Sequence, residues 1–246
     1  MSAILELQDV TAGYSADIDI LRDLSLTLER GSVTGLVGLN GAGKSTVMKA
    51  AYGFLPPRSG RILYDGGDIT GRAPHRMAAL GMWLIPQEGG LFDQMTVEAN
   101  LRLPIETRRA AAGLSRAEID RRVAEVMERF PILREKRRQS ATRLSGGQRK
   151  LLEFAIAHVQ RPVLCLIDEP SIGLAPKVAE EVFENIRTLA ETGTSILLVD
   201  HNIRKVIEVA GYVYVLTLGT VTAEGDSASF RSDLHGQVRE WLGINY

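Results

Sequence analysis

Residues 38–46 have the types and the spacing of a phosphate-binding loop. They fit the pattern G-x-x-x-x-G-K-[ST], in which glycines let backbone N–H groups come close to a phosphate. A predicted helix follows, and its positive N-terminal end adds to the attraction. Lys44 is expected to reach the β- and γ-phosphates, and the Ser45 hydroxyl to ligate Mg²⁺. The candidate nucleotide-binding residues here are Gly38, Asn40, Gly41, Ala42, Gly43, Lys44, Ser45 and Thr46.

Two adjacent carboxylates follow an apolar strand that is predicted at residues 163–167. Asp168 is expected to hold Mg²⁺ through water, and Glu169 to polarise the attacking water as a general base. Asp168 would then bind the metal ion, and Glu169 would activate the nucleophilic water. Cys165 lies within the strand and is expected to be buried packing rather than a reactive thiol.

A second anion site is predicted where Ser145, Gly146, Gly147 and Gln148 open a helix, because helix N-termini carry free N–H groups. Ser145 lies 101 residues after Lys44, and Gln148 lies 20 residues before Asp168. In this order and spacing the three motifs resemble those of ABC-type ATPases. The resemblance runs from Tyr14 to about Gly225.

The resemblance implies a P-loop NTPase core of the RecA-like α/β type, with an antiparallel β-subdomain and a helical insert. It also implies a head-to-tail dimer. Each ATP would lie between the phosphate-binding loop of one subunit (the P-loop, residues 38–46) and the helix start of the other (the signature, residues 145–148). Ser145 and Gly147 would then contact the γ-phosphate held by the other subunit. Because hydrolysis would require a dimer, ATP hydrolysis would be coupled to closure of the two subunits around the nucleotide. ATP and Mg²⁺ are the implied cofactors.

Three further residues match single positions of that family, each with a plainer alternative. Tyr14 matches the aromatic residue that stacks on adenine, although a core tyrosine would give the same pattern. Gln87 matches the glutamine that meets Mg²⁺ and reports to the membrane subunits, although it could be a surface glutamine. His201 matches the histidine that contacts the γ-phosphate, although strand-end histidines are usually structural. The catalytic set is thus Lys44, Gln87, Glu169 and His201, and the metal set is Ser45, Gln87 and Asp168.

The sequence departs from the general family pattern in three places. Ala175 stands where most families have aspartate, which puts in doubt a carboxylate contact across the dimer. Ile156 stands where arginine is common, and residues 210–212 read Ala-Gly-Tyr; both are expected to be packing variants. Residues 170–176, Pro-Ser-Ile-Gly-Leu-Ala-Pro, look like the ATP-binding subunits of importers for branched-chain and related amino acids. Importers of urea and short amides and the lipopolysaccharide-export ATPase are also similar.

Alternating strands and helices predict a mainly parallel α/β sheet. Strands are predicted at residues 4–7, 24–28, 32–37, 61–64, 81–85, 163–167, 195–199 and 212–216, and helices at 45–54, 151–159 and 178–191. Ser115 and Glu118 predict a capping box, ahead of an apolar helix face that Pro131 ends. That face consists of Ile119, Val123, Val126, Met127 and Phe130.

One ABC ATPase domain is expected to fill residues 1–246. Within it, residues 1–87 and 144–230 would form the core with the β-subdomain, residues 88–143 the helical subdomain, and residues 231–246 a C-terminal tail. The tail sequence from Val238 to Gly243 contributes to the resemblance to amino-acid importers.

The composition is that of an ordinary globular protein, with 45 % hydrophobic and 24 % charged residues and a net charge of −1. Residues 102–150 nevertheless hold 14 Lys or Arg against 6 Asp or Glu. This excess indicates either solvated helix faces or an anionic partner, and our hypothesis is that it faces permeases and the anionic inner leaflet. No aromatic residue interleaves with the arginines before Phe130, so nucleic acid is not expected as a partner.

The single cysteine fits a reducing cytoplasm, and no signal peptide is evident. The longest charge-free run, residues 209–223, has 15 residues, fewer than the ~20 that a membrane-spanning helix needs. Together with these features, the resemblance to ABC-type ATPases implies a peripheral protein on the cytoplasmic face of the inner membrane, soluble when isolated.

The function expected from the sequence is the ATP-hydrolysing subunit of a bacterial importer. Its partners would be a second ATP-binding subunit, identical or homologous, two transmembrane permease subunits and an extracytoplasmic substrate-binding protein. The alternatives are a soluble ABC ATPase that acts on nucleic acid or ribosomes, and a binding module that does not hydrolyse ATP. The short gap between P-loop and signature argues against the first, and the presence of Glu169 and His201 against the second.

Overall fold

The computed structural model describes residues 2–15, 17–110 and 112–232, and the elements below belong to these ranges. The strands are β1 (Ala3–Ala12), β2 (Leu21–Glu29), β3 (Val33–Gly38), β4 (Ser59–Tyr64), β5 (Gly67–Asp68), β6 (Met82–Ile85), β7 (Leu164–Asp168), β8 (Ser195–Val199), β9 (Tyr212–Thr217) and β10 (Thr220–Asp226). The helices are α1 (Lys44–Ala51), α2 (Pro74–Ala79), α3 (Val97–Arg108), α4 (Arg116–Arg129), α5 (Pro131–Glu135), α6 (Gly146–Gln160), α7 (Pro176–Glu191), α8 (Ile203–Val209) and α9 (Ser227–Ser232), with a 3₁₀ turn at Ala141–Arg143.

Two sheets form the body of the molecule. The six-stranded sheet has the order β10-β9-β3-β8-β7-β6, and it is parallel except for β10, which pairs antiparallel with β9. The four-stranded sheet, β2-β1-β4-β5, is antiparallel, as its alternating buried and exposed residues predict. This mixture of a parallel core and an antiparallel subdomain confirms the predicted fold class.

The parallel pairing brings the carboxyl ends of three strands to one edge. Leu36 of β3 and Asp168 of β7 lie on either side of Val199 of β8 in the same register. Strands β7 and β8 are buried along their whole length, which fits their continuous apolar sequences. Because β3 leads into the loop before α1, this edge gathers the loop and both carboxylates of the predicted site.

The helical layer is held by a hydrophobic cluster of its own, which joins α3, α4 and α6. Helix α6 lies beyond residue 143, the predicted end of the helical subdomain, yet its residues Leu152, Ile156 and Val159 pack in this cluster. Its other face places Phe154 and Ala157 in the core of the six-stranded sheet. Helix α6 therefore connects the helical layer with the sheet, and Ile156 is a packing residue.

The capping box predicted at α4 is half correct. The Ser115 side chain accepts a hydrogen bond from the Glu118 N–H at 3.1 Å. The Glu118 carboxylate instead accepts hydrogen bonds from Arg121 and Arg122, because guanidinium groups three and four residues ahead attract it along the helix. Pro131 ends α4 as predicted and also starts α5, since proline is tolerated in a first helical turn.

The sequence patterns did not individually predict β5, β10, α2, α3, α5 or α8, although α3 and α5 lie within the predicted helical subdomain, residues 88–143. Helix α3 contains Pro104, which usually interrupts a helix. Strand β10 alternates only weakly between intermediate and exposed residues, since one face is open to solvent. The tail residues Val238 to Gly243 lie outside the described residues.

A buried histidine on α6 gives the fold a specific dependence on pH. His158 packs with its ring 5.8 Å from that of Phe130, and its Nε2 has no hydrogen-bond partner in the described structure. Burial lowers its pKa to about 4, and Arg129 adds to the effect. The unfolded chain therefore binds a proton on this ring at a higher pH than the folded protein does, and stability is lost as the pH falls.

Between about pH 7.5 and pH 5, this residue is expected to lower the free energy of unfolding by about 2 kcal/mol. His158→Leu should remove that part of the pH dependence, as measured by urea unfolding at both pH values. His75→Leu, which replaces an exposed histidine, is the matched control and should leave the pH dependence as it is. An equal acid sensitivity of the His158→Leu and native proteins would contradict the prediction.

Candidate nucleotide-binding site

An open cleft of about 470 Å³ lies at the carboxyl edge of the parallel sheet. Nine residues predicted from the sequence line it, from four separate parts of the chain. The lining residues are Tyr14, Ile20, Asn40, Gly41, Gly43, Lys44, Ser45, Thr46, Gln87, Glu169 and Ile172. Of these, Ile20 and Ile172 were not predicted; apolar residues at loop positions carry no sequence signal of their own.

The loop from Gly38 to Thr46 has the glycine conformations that phosphate binding requires. Gly41 and Gly43 have φ of +83° and +108°, values at which a side chain would be strained. At Gly38 an added Cβ would lie 2.3 Å from the Leu216 carbonyl oxygen, so the close approach of loop and sheet also needs glycine. Gly43 caps α1 without a side-chain hydrogen bond, which leaves the N–H groups of the first turn for a ligand.

Lys44 is buried beneath this loop, and its ammonium group is held by the loop itself. Nζ donates to the carbonyl oxygens of Gly38 at 2.9 Å and Leu39 at 3.0 Å. Burial lowers the pKa of Lys44, while the negative charges of Glu169, Asp168 and Asp200 oppose that shift. A fixed cation beside the uncapped first turn of α1 is suited to an anionic phosphate chain.

Ser45 and Asp168 meet across the cleft, where the serine Oγ donates to Asp168 Oδ1 at 3.4 Å. Burial raises the pKa of Asp168, and the hydrogen bond from Ser45 opposes the shift. A hydroxyl and a carboxylate are hard oxygen ligands of the kind that Mg²⁺ takes. Within the described residues no group of three or more His, Cys, Asp or Glu could hold a metal ion. The chemistry of the Ser45–Asp168 pair fits Mg²⁺, which usually keeps several waters and is bound by one or two carboxylates together with phosphates.

Glu169 occupies an unusual backbone conformation at the end of β7. Its φ is +44°, which is uncommon for a residue with a side chain. Its N–H donates to the Val199 carbonyl at 2.8 Å, so the turn is anchored to β8. This turn directs the chain away from the sheet immediately after Asp168 and places Glu169 in the cleft lining.

Asp200 is a residue of the site that the sequence analysis did not assign. It is buried, and Oδ1 accepts hydrogen bonds from Ser171 Oγ and the Asn202 N–H, both at 2.8 Å. Oδ2 accepts one from the Ser171 N–H at 3.1 Å. The His201 Nδ1 lies 3.3 Å from Oδ1. Asp200 thereby joins the loop after Glu169 to His201; its only sequence signal is a carboxylate directly after a buried strand.

Tyr14 is 59 % exposed, so the alternative that it is a core tyrosine is wrong. Its hydroxyl lies 3.4 Å from Thr46 Oγ1, and the Lys49 ammonium lies 5.0 Å from the ring centroid. Gln87 is exposed and lines the cleft. Both residues are thus accessible to a molecule bound at the loop.

The segment Ser145–Gln148 lies outside this cleft, and so does His201, whose side chain is 51 % exposed. Ser145 and Gln148 form a complete capping box at the start of α6, with hydrogen bonds of 3.2 and 3.4 Å. Lys136 also donates to the Gln148 amide oxygen at 3.2 Å. Ser145 and Gly146 are exposed. The helix start is therefore preorganised, but it does not line the cleft that contains the P-loop of its own chain.

The structure also shows the surroundings of two residues at which the sequence departs from the family pattern, Ala175 and Ala210. Ala175 is the N-cap of α7 and makes no side-chain capping hydrogen bond. Ala210 is buried in the sheet core together with Val213, which agrees with a packing role for the segment around it.

The family is identified by the match of residues 21–172 to the model of the ABC transporter family. The chain belongs to this family and is an ATP-binding cassette ATPase. Among the described residues no helix is both long and apolar enough to cross a bilayer.

Its curated relatives include ATPases of more than one transport system. It is 34 % identical over 223 residues to the probable branched-chain amino acid transport ATP-binding protein LivF of Archaeoglobus fulgidus, covering 90 % of this chain and 92 % of that protein. The high-affinity branched-chain amino acid transport ATP-binding protein BraG of Pseudomonas aeruginosa is 32 % identical with the same coverage. The lipopolysaccharide export system ATP-binding protein LptB of Escherichia coli is 34 % identical over 229 residues, covering 92 % of each chain.

Solved structures agree with this assignment. The ADP conformation of MJ1267, an ATP-binding cassette of an ABC transporter, superposes with a TM-score of 0.85 at 26 % identity, covering all of both chains. A nucleotide-free ATP-binding cassette from an ABC transporter gives a TM-score of 0.83 at 26 % identity, also over both whole chains.

Proposed function

We propose that this chain is the ATP-hydrolysing subunit of an importer for branched-chain or related amino acids, and that it works as a head-to-tail dimer. The dimer is supported by the separation, within one chain, of two groups of residues that would each form half of an ATP site. The P-loop, Gln87 and Glu169 line one cleft, whereas Ser145–Gln148 open α6 outside it. A second copy, or a homologous subunit, would supply the missing signature to each cleft.

Within each cleft we assign each residue a role in binding or hydrolysing ATP according to its chemistry. Lys44 and the N–H groups of the loop hold the phosphates, and Tyr14 stacks on adenine. Ser45, Asp168 and Gln87 would hold Mg²⁺, which when bound neutralises charge on the phosphates. Glu169 accepts the proton of the attacking water, and His201, held by Asp200, contacts the γ-phosphate once the dimer closes. Ser145, Gly146, Gly147 and Gln148 complete the phosphate site of the other subunit.

The cargo assignment is supported by LivF and BraG among the relatives and by the loop sequence from Pro170 to Pro176. A urea or amide importer and a lipopolysaccharide export system are the alternatives, since LptB is equally similar in sequence. A soluble, non-transport ABC ATPase is a further alternative. The ATPase chemistry proposed above is the same in each case.

An apolar groove beside Gln87 supports the proposal that two transmembrane permease subunits are partners. The groove has a volume of about 710 Å³ and lies between the sheet core and the helical layer. Phe54 and Phe92, both more than half exposed, line it together with Trp83, Pro86 and Pro104. An apolar surface of this size is suited to a helix of a permease at the cytoplasmic face of the membrane. An extracytoplasmic substrate-binding protein would complete the importer.

The basic excess at residues 102–150 supports a contact with an anionic surface. Several of its cations are paired within the chain: Arg102 with Asp120, Arg121 and Arg122 with Glu118, Arg134 with Glu128, and Arg149 with Asp93. Of these carboxylates only Asp93 lies outside the segment, so pairing leaves most of the net positive charge in place. This charge supports the proposed contact with the permeases and the anionic inner leaflet.

The test of the proposed function is the steady-state ATPase rate of the purified protein against its own concentration. We expect the rate per subunit to rise with concentration, because each cleft needs the signature of another copy. A measurable rate that does not change with concentration would contradict the dimer, since a monomer would then hydrolyse ATP alone. A negligible rate at all concentrations would instead indicate an obligatory different subunit.

A complementation experiment tests whether the P-loop and the signature of one ATP site come from different subunits. Lys44→Ala removes the phosphate-binding lysine, and Ser145→Arg blocks the signature, so each variant alone should be inactive. A mixed dimer would contain one intact composite site, and mixing the variants should restore activity. No restoration under conditions in which mixed dimers form would contradict the trans arrangement.

A further inference from the structure

A buried ion pair on α6 has no place in the chemistry described so far. Lys150 Nζ lies 2.6 Å from Glu153 Oε2, and both side chains are only 9 % exposed. Burial raises the pKa of Glu153, while the positive charge of Lys150 opposes the shift. Buried ion pairs are often no more stabilising than an apolar pair of the same size, because both charges lose their water. What the pair contacts is therefore more informative than the pair itself.

The pair holds the loop that carries Gln87, here called the Gln87 loop and defined as residues 86–90. Lys150 Nζ donates to the carbonyl oxygens of Pro86 at 3.3 Å and Gln87 at 3.4 Å. With Glu153, these acceptors use the three N–H bonds of the ammonium group. At the other end of the loop, the Gly90 backbone lies against the Glu153 carboxylate and opposes the rise in its pKa.

Gly90 fits closely against the pair. A Cβ added there would lie 2.9 Å from Glu153 Oε1 and 3.0 Å from the carboxyl carbon, and its three nearest neighbours all belong to Glu153. The loop is therefore in contact with the ion pair at both ends, on either side of the exposed Gln87 and Glu88.

The same helix begins with the signature residues. Only Arg149 separates Gln148 from Lys150, so Lys150 lies about 3 Å along the helix axis from the capping box. A helix moves as a rigid element over this distance. A force on Ser145–Gln148 would then reach the Gln87 loop through the carbonyl oxygens of Pro86 and Gln87 and the backbone of Gly90.

We propose that the Lys150–Glu153 pair transmits contact at the signature of a subunit to the Gln87 loop of the same subunit, and so couples the two ATP sites of the dimer. This inference rests on the proposed function, because the signature must bind the nucleotide of the other subunit. Lys150 and Glu153 are positioning residues: neither lines the cleft, and they act through the backbone of the loop that carries Gln87.

The experiment places the reporter in a subunit that cannot bind ATP itself. That subunit carries Lys44→Ala and Glu88→Cys labelled with a nitroxide; because the native Cys165 is buried, we expect the label at residue 88 alone. The other subunit carries Glu169→Gln, so that it holds ATP against the signature of the first. Dimer formation is measured by size-exclusion chromatography, and the mobility of the label by electron paramagnetic resonance.

With the pair intact, ATP should change the mobility of the label although its own subunit holds no nucleotide. Lys150→Met with Glu153→Leu in the labelled subunit should abolish this response while the ATP-bound dimer still forms. The double replacement leaves no unpaired buried charge. Gly90→Ala tests the same contact from the loop side and should also reduce the response. Arg134→Met, which breaks an exposed ion pair on α5, is the control and should leave the response intact.

In an otherwise native homodimer, the double variant should lower kcat by about tenfold or more with KM changed by about twofold or less, because Gln87 is misplaced without loss of the binding loop. A merely structural pair would lower the melting temperature and leave the label response in the folded fraction. A retained response, or a dimer with the intact pair and no response, would overturn the coupling and leave the proposed function standing. The absence of any ATP-dependent dimer would overturn both.

Discussion

Replacement of Glu169 by glutamine is expected to lower kcat by about a hundredfold or more, because the amide cannot accept a proton from the attacking water. ATP binding should remain, since Lys44 and the loop N–H groups are unaffected. The side chain keeps its shape at a position where φ is +44° and the N–H is bonded to Val199, so the turn should persist. With turnover stopped, the closed ATP-bound dimer should accumulate.

The measurement combines single-turnover ATP hydrolysis with size-exclusion chromatography in ATP. Glu169→Asp should keep part of the rate, because a carboxylate remains at a changed distance. Glu180→Gln, which removes the same charge from the surface of α7, is the control and should hydrolyse ATP normally. Hydrolysis by Glu169→Gln within a few-fold of the native rate would remove Glu169 from the role of base.

Replacement of Lys44 by alanine is expected to weaken ATP binding by about a hundredfold, the loss expected when a buried charge-assisted contact to phosphate is removed. In the free protein this ammonium group bonds to the carbonyl oxygens of Gly38 and Leu39. Its loss takes one donor from each of these carbonyl oxygens and removes the one lysine among the residues that line the cleft.

Binding is measured by calorimetry with ATP, and the melting temperature is recorded to separate lost affinity from lost structure. Lys49→Ala is the matched control on the same helix. It removes the cation near the Tyr14 ring and should change affinity by about fivefold or less. An unchanged affinity of Lys44→Ala would remove this lysine from the phosphate site.

Much of the site was predictable because its functional residues lie close together in short segments of the sequence. A glycine-rich turn after an apolar strand can hardly be placed elsewhere than at the end of that strand, and β3 and α1 lie where the pattern predicts them. Strand β8 has the predicted bounds, since a fully buried strand is a continuous apolar run. The capping box at α4 was only half correct because a local pattern does not include competition from the nearby arginines.

Other features had no local signal because their contacts join distant parts of the chain. Asp200 meets Ser171 across 29 positions, and Lys150 meets Gln87 across 63. The apolar groove forms only where α1, β6 and the helical layer come together. In each case the residue types are ordinary and only their packing gives them a role.

The sequence by itself determined the class of the protein, the phosphate loop and the paired carboxylates, because backbone conformation and neighbouring side chains suffice for them. The tertiary structure decided which of these residues share a cleft and which do not. The parallel sheet brings the P-loop, Asp168 and Glu169 to one edge, while α6 is packed between the helical layer and the sheet and begins with Ser145–Gln148 outside the cleft. Side-chain position depends on packing between elements far apart in sequence, and that packing separates the two half-sites.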